Sequence, residues 1–302
     1  MILTVTPNPA LDYTVELDEP LEAGTVVRTD GARVDAGGKG INVSQYLHAL
    51  GSETAASGFL GEPFGRVLAD ELAESGFETA FVSVEESTRL NQTILATDGE
   101  YKINQNGPHV SERALDDLLS RVSERGPPSL VVGGSLPPGV SADDIDRLAA
   151  AGDWATTVDV GGEMLADLAG DYALCKPNRE ELAAATGMAT DNVDDCIAAA
   201  EALRETGYER VIASLGGDGA VLVGPNGAFV ADALDVDVVD TVGAGDSLLA
   251  GVLAAYDGGA DDATALATGV AVSSRVVGTA GTSVPDLDGI EDVRDGVHVH
   301  RR

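Results

Sequence analysis

Two glycine-rich stretches, each running into an apolar helical pattern, hold the residues best suited to chemistry. The stronger is Asp240-Thr-Val-Gly-Ala-Gly-Asp246, followed without a break by Ser247-Leu-Leu-Ala-Gly-Val-Leu-Ala-Ala-Tyr256. Glycine at 243 and 245 lets the backbone approach a ligand with no Cβ in the way. A helix starting there turns unpaired N–H groups and the positive end of its dipole toward an anion. Asp246 is either a carboxylate able to take a proton from a substrate hydroxyl or a cap on the helix N-terminus. The second stretch is Ala36-Gly-Gly-Lys39-Gly-Ile-Asn42-Val-Ser44, which lacks the spacing of a Walker loop. Lys39 either binds an anion or is a solvated lysine on a turn.

Two shorter motifs follow. In Cys175-Lys176-Pro-Asn178-Arg-Glu-Glu181, the amide and the carboxylate stand three residues apart and share a helix face. They could hold a hydrated Mg2+, cap the helix as a capping box, or do both. Ser214-Leu-Gly216-Gly-Asp-Gly219 carries a strand into a glycine turn, suited to phosphate contact or to an ordinary tight turn. Asp235-Val-Asp237-Val-Val-Asp240 has the look of a metal loop. Its alternation fits a strand with Asp outward and Val inward, and a strand is expected.

The elements that must position these groups follow from periodicity. Strands are expected at 2–6, 14–17, 26–34, 54–59 and 79–84, with helices at 42–50 and 64–75. Alternating runs at 89–97 and 101–105 join through Asp98-Gly99, a hairpin signal. From 111 onward helices and strands alternate, which implies a parallel sheet covered on both faces. The β-rich segments at 12–34 and 88–105 lack helices of their own and read as a small lid sheet.

The 302 residues carry 18 basic and 51 acidic side chains, a net charge of −33. A phosphate-tracking nucleic-acid surface or an anionic-membrane anchor needs clustered Lys and Arg, so both partners are excluded. With 44% hydrophobic residues the chain builds a core all the same. There are 31 Asp, and only three Lys against 15 Arg. Such a surface repels itself unless salt screens it, which points to the cytosol of an extreme halophile. The stretch 1–12 has no basic region or apolar core of a signal peptide, and no apolar run is long enough to span a membrane. Cys175 and Cys196 fit no metal-ligand spacing and read as packed thiols, so a cytoplasmic location is expected.

Together these stretches resemble the ribokinase-like carbohydrate kinases of the phosphofructokinase-B type, over nearly the whole chain. Stretch 240–246 is similar to that family's C-terminal signature, 37–42 to its N-terminal one, and Asn178-x-x-Glu181 to its magnesium motif. Within the family, Thr4-Val-Thr-Pro-Asn8-Pro-Ala-Leu-Asp12 is similar to the opening of 1-phosphofructokinases and tagatose-6-phosphate kinases. So are 38–44, Thr88-Arg89-Leu-Asn91 and Gly134-Ser135-Leu-Pro-Pro-Gly139.

The resemblance implies a three-layer α/β/α fold with a mostly parallel sheet, one kinase domain over 1–302, and the lid inserted from about 12–34 and 88–105. It implies ATP-dependent phosphorylation of the 6-hydroxyl of fructose 1-phosphate. The alternatives are another sugar or sugar-phosphate kinase of the family, or a non-catalytic relative. Asp246 would be the base, with the N–H groups of Gly243, Ala244, Gly245 and Asp246 as an anion hole. Lys176, Ser214, Gly216 and Gly219 would meet the ATP phosphates beside Gly243 and Gly245, and Asn178 and Glu181 would orient Mg2+ through water. Asp12, Gly38 and Asn42 would bind sugar hydroxyls. Lys39, Arg28 and Arg89 would grip the substrate's phosphate, with Ser135 as a hydroxyl donor. Some relatives bind a monovalent cation such as K+ near the positions of Asp240 and the Val242 carbonyl, and some pair as homodimers through the lid.

Overall fold

The computed structural model describes residues 1–279 and 284–302. Its larger sheet runs β15 (Val299–Arg301), β14 (Gly227–Ala231), β13 (Ala220–Gly224), β12 (Tyr208–Ser214), β11 (Tyr172–Cys175), β10 (Ala155–Asp159), β9 (Ser129–Gly133), β1 (Ile2–Thr6), β4 (Thr54–Leu60), β5 (Glu78–Thr79). A further strand, β6 (Val82–Ser83), also pairs with β4. Pairing is parallel from β5 to β12 and antiparallel from β12 to β15.

Strand alternation sorts the core into two layers. Leu3, Val5, Leu130 and Val132 face α3 (Glu112–Arg125), α4 (Ala142–Ala149), α5 (Gly162–Asp167), α6 (Arg179–Thr186) and α7 (Val193–Arg204). Ile2, Val131, Leu174 and Ile212 face α1 (Lys39–Ala49), α8 (Ala244–Asp257), α9 (Asp262–Val277) and α10 (Ile290–Arg294). The expected three-layer α/β/α arrangement is therefore present.

A separate sheet of four strands runs β3 (Ala32–Gly37), β2 (Ala10–Glu16), β7 (Arg89–Ala96), β8 (Gly99–Ile103). Leu11, Ala36 and Leu90 of this lid pack on α2 (Phe64–Leu72) through Leu68 and Leu72. The chain enters the lid twice, as the sequence suggests, and β2 pairs with β7 in parallel across that gap.

Three expectations are corrected. The strand expected at 26–34 begins only at Ala32; residues 17–31 form an exposed loop, closed at its base where Glu16 N–H donates to the Gly31 carbonyl. The strand expected at 235–240 has no ladder partner. The reason is that the edge of β14 is already taken by β15, in what reads from sequence as a polar tail. Residues 239 and 240 instead hang from the Val277 carbonyl at the end of α9. Finally, α1 starts at Lys39, not at 42, which places the lysine on the first helical residue.

Candidate active site

Ligands in open parallel α/β sheets bind outside the carboxyl ends of the strands, where the strand order reverses. Here β1 leads to β4 on one side and neighbours β9 on the other, so that crevice lies above β1 and β9. Gly38, Lys39, Ser135, Lys176, Asn178 and Ser214 lie at the carboxyl ends of strands or in the connections that follow them.

Asp246 is the third residue of α8, and the N-cap position is held by Gly243 without a side-chain hydrogen bond. The carboxylate is therefore not the helix cap. Gly243 has φ +77°, and a Cβ there would stand 2.6 Å from the Tyr46 hydroxyl, so no other residue fits without strain. The N–H groups of Gly243, Gly245 and Asp246 have no acceptor among the described residues, while Ala244 N–H reaches the Thr241 carbonyl at 3.3 Å. This is an open anion site at a helix N-terminus. The Asp246 carboxylate is 8% exposed, and Asn42 Nδ2 donates to its Oδ2 at 2.7 Å. Burial and the neighbouring Asp159 push its pKa up to about 6, against the opposing pull of Asn42, Lys176 and Lys39.

Asp159, at the end of β10, has no counterpart among the expected site residues. It is 1% exposed and pairs with Lys39 Nζ at 2.7 Å and Lys176 Nζ at 3.2 Å. Lys39 also lies 3.7 Å from Glu181. Burial alone would lower the Lys39 pKa, but Asp159 and Glu181 outweigh it and the pKa is raised. Lys176 is buried beneath α8. A Cβ on Gly245 would lie 3.1 Å from its Nζ, so the glycine lets the ammonium come up under the anion site. A strand-end Asp followed by Val160-Gly-Gly is the signal that could have found this residue, though it is faint among 51 acidic side chains.

Asn178 and Glu181 form the full capping box: Glu181 N–H donates to Asn178 Oδ1 and Asn178 N–H donates to Glu181 Oε2, each at 2.8 Å. The Asn178 oxygen is thus committed to the helix, whereas Glu181 Oε1 is turned toward Lys39. Beside them, a cavity of about 270 Å³ is lined by Ser214, Gly216 and Gly219 on one side and Ala244 and Gly245 on the other. Val236 and Val238 of the corrected 235–240 segment form its apolar wall, with Ser273 and Ser274 of α9.

The lid brings its own polar face. Asp12 lies opposite Asn91 and Asp35 in the ladder, and Asn91 Nδ2 donates to Asp12 Oδ1 at 2.9 Å. Burial raises the Asp12 pKa, opposed by the Asn91 bond and Arg89. Gly38 is the N-cap of α1. Arg89 Nη2 donates to the Asn8 carbonyl at 2.9 Å, and its Nε is buried with no partner. Arg89 and Ser135 line a common cleft of about 470 Å³. Lys39 is not paired with that group, since its ammonium is spent on Asp159 and Glu181. Arg28 stands on the exposed 17–31 loop and makes no hydrogen bond or ion pair among the described residues, so within one chain it is not brought to the cleft.

Residues 6–288 match the family described as pfkB family carbohydrate kinase. The chain belongs to that family. It is 56% identical to the 1-phosphofructokinase of Haloferax volcanii over 290 residues, covering 96% of this chain and 95% of that protein. It is 37% identical to the 1-phosphofructokinase of Escherichia coli K12 over 269 residues, 83% of each. The fold superposes on the phosphofructokinase-2 of Escherichia coli solved in complex with potassium, with TM-score 0.90, 28% identity and 98% of each chain covered. As a pfkB kinase the chain uses ATP to phosphorylate a sugar.

Proposed function

We propose that the chain is a 1-phosphofructokinase, transferring the γ-phosphoryl group of ATP to the 6-hydroxyl of fructose 1-phosphate. The observation that carries the reading is the buried Asp246 carboxylate at an open helix N-terminus, held by Asn42 from the other glycine loop. High identity to the Haloferax enzyme over nearly the full length supports the choice of substrate.

In this reading Asp246 accepts the proton of the 6-hydroxyl as that oxygen attacks the γ-phosphorus and the ADP oxygen leaves. The free N–H groups of Gly243, Gly245 and Asp246 meet the charge on the transferred group. Donors fixed in place before reaction cost nothing to orient. Lys176, beneath Gly245, adds positive charge under that hole, and Ser214, Gly216 and Gly219 hold the remaining phosphates. Asp12, Gly38 and Asn42 orient the sugar, and Arg89 with Ser135 holds its phosphate. Closure of the lid excludes water, which would otherwise compete for the phosphoryl group.

The residues present fit a hydrated Mg2+. Asp159 Oδ2 is buried with only the Lys176 ammonium beside it, at 3.2 Å and without a formal hydrogen bond; Glu181 keeps Oε1 free of the capping box, and the Lys39 ammonium already lies between the two carboxylates. When bound, such an ion offsets the charge of the ATP phosphates. K+ is assigned to the turn where Val242 N–H donates to Asp240 Oδ1; the potassium-bound relative supports it. A homodimer through the lid is supported by its outer face, where Val34, Tyr101 and Ile103 are 43%, 39% and 54% exposed. Among the described residues no helix is long and apolar enough to cross a membrane, and the two buried free cysteines support a cytoplasmic location.

Two results test the reading. Arg89→Ala is expected to raise KM for fructose 1-phosphate by about tenfold or more, the cost of one charged hydrogen-bond donor, with KM for ATP little changed. Equal effects on both constants would remove Arg89 from the sugar-phosphate cleft. Activity and folding are expected to weaken as KCl falls from about 1 M to about 0.1 M, because the screening length grows from about 3 to about 10 Å around an acidic shell. Indifference to salt, followed by activity and circular dichroism, would overturn the halophilic origin.

A further inference from the structure

Asn8 does no chemistry in the mechanism above, yet it lines the cleft and is hydrogen-bonded to Arg89, Asn106 and Ser135. It lies just after β1 and is 2% exposed. Its backbone carbonyl accepts from Arg89 Nη2 at 2.9 Å. Its side-chain Nδ2 donates to the Asn106 carbonyl at 3.0 Å and to Ser135 Oγ at 3.3 Å. One residue thus joins the start of lid strand β7, the connection after β8 and the loop after β9.

The orientation of the amide is fixed by its neighbours. The Asn106 carbonyl is an acceptor only, so the group facing it must be the NH2. The cost is visible on the other side, where Asn8 Oδ1 is buried without any hydrogen bond. Leaving a buried acceptor unpaired is unfavourable by about 1–3 kcal/mol. The fold accepts that cost and keeps both Asn8 donors on oxygen.

We infer that Asn8 is a positioning residue for the phosphate of the sugar substrate, acting through Ser135 and Arg89. Because Ser135 Oγ accepts from Asn8, the serine's own proton must point elsewhere. Ser135 is exposed toward the cleft it shares with Arg89, so that proton is presented to a phosphate oxygen. The same residue sets Arg89. Two of the guanidinium nitrogens are held on neutral carbonyls, those of Asn8 and Gln105, and Nε remains unpaired. Seated on carbonyls and in no ion pair among the described residues, Arg89 offers its charge to an anion with only the neighbouring Asp12 competing for it, which matters in a chain with 51 acidic residues.

The inference rests on the proposed 1-phosphofructokinase reading and is tested by a double-mutant cycle on the full chain at molar KCl. Ser135→Ala, at an exposed position, is expected to raise KM for fructose 1-phosphate several-fold. Asn8→Ala is expected to raise it by about tenfold, with KM for ATP unchanged within twofold. In the Ser135→Ala background the Asn8 substitution should cost clearly less, since part of its effect passes through the missing hydroxyl. A Ser135→Ala enzyme with unchanged KM overturns the inference, whatever the Asn8 variant does. So do strictly additive effects, or an Asn8→Ala enzyme that loses kcat and melting temperature while both KM values hold. Wild-type enzyme that phosphorylates fructose 6-phosphate but not fructose 1-phosphate would instead overturn the substrate reading, and the same cycle read with fructose 6-phosphate would still decide the role of Asn8.

Discussion

Asp246→Asn is expected to lower kcat by about 10²–10⁴-fold, the range that a positioned general base contributes. The substitution keeps the size of the side chain. The new amide can still accept from Asn42 Nδ2 through its oxygen, the bond that Asp246 makes at 2.7 Å. Packing at a position only 8% exposed should therefore survive, and so should the N–H groups of Gly243 and Gly245. ATP binding, followed by calorimetry, should change by no more than a few-fold. What disappears is the group able to take the proton. A variant with near wild-type turnover would remove Asp246 from the role of base, and one that no longer binds ATP would show that the carboxylate serves the nucleotide site instead.

Asp159→Asn is expected to be the other severe change, with a different signature. Asp159 is the anion shared by Lys39 and Lys176, and Lys176 is 3% exposed. Breaking a buried ion pair from one side leaves an uncompensated charge, at a cost of about 3 kcal/mol or more. A lower melting temperature should accompany a loss of turnover, because the carboxylate that shares Lys39 with Glu181 is also gone. The pH profile separates this residue from a merely structural one. Asp246 is pushed up to about 6, first by burial and then by Asp159. A base must be ionised, so wild-type turnover should be present above about pH 6 and fall as the pH drops through that value. Removing the Asp159 charge relieves the repulsion, so the acid limb should move to lower pH. An unmoved limb would show that Asp159 exerts no field on Asp246.

Local chemistry was readable in the sequence where spacing alone determines it. Asn178 and Glu181 meet because a helix brings residues three apart onto one face, and the capping box forms as expected. Asp98-Gly99 turns the lid hairpin, and the glycines at 243 and 245 open the helix N-terminus. The parts that were not readable depend on pairing between distant segments. Asp159 has no local motif; it matters because β10 ends between α1 and α6, where Lys39, Lys176 and Glu181 converge. Stretch 235–240 has the alternation of a strand, but three C-terminal residues occupy the edge it would have used. Its valines line the cavity beside Ser214 and Gly245 in irregular backbone. The resemblance places Arg28 at the phosphate, yet the loop that carries it is tied at its base by Glu16 and Gly31 and at Leu21 to Asp98 of the lid hairpin, and none of these ties brings Arg28 to the cleft.

The net charge of −33 and an anionic substrate pair are compatible because the positive groups are few and confined. Arg89 and one helix N-terminus open onto the clefts, and two of the three lysines of the chain, Lys39 and Lys176, lie paired to Asp159 beneath them.

The most direct measurement is ADP release, coupled to NADH oxidation at molar KCl, with fructose 1-phosphate, fructose 6-phosphate, tagatose 6-phosphate, ribose and 2-keto-3-deoxygluconate compared side by side. Fructose 1-phosphate should have the highest kcat/KM by at least about tenfold, one well-placed phosphate contact being worth that much. A higher kcat/KM for any of the other four, or no ADP release with any of them, would contradict the assignment.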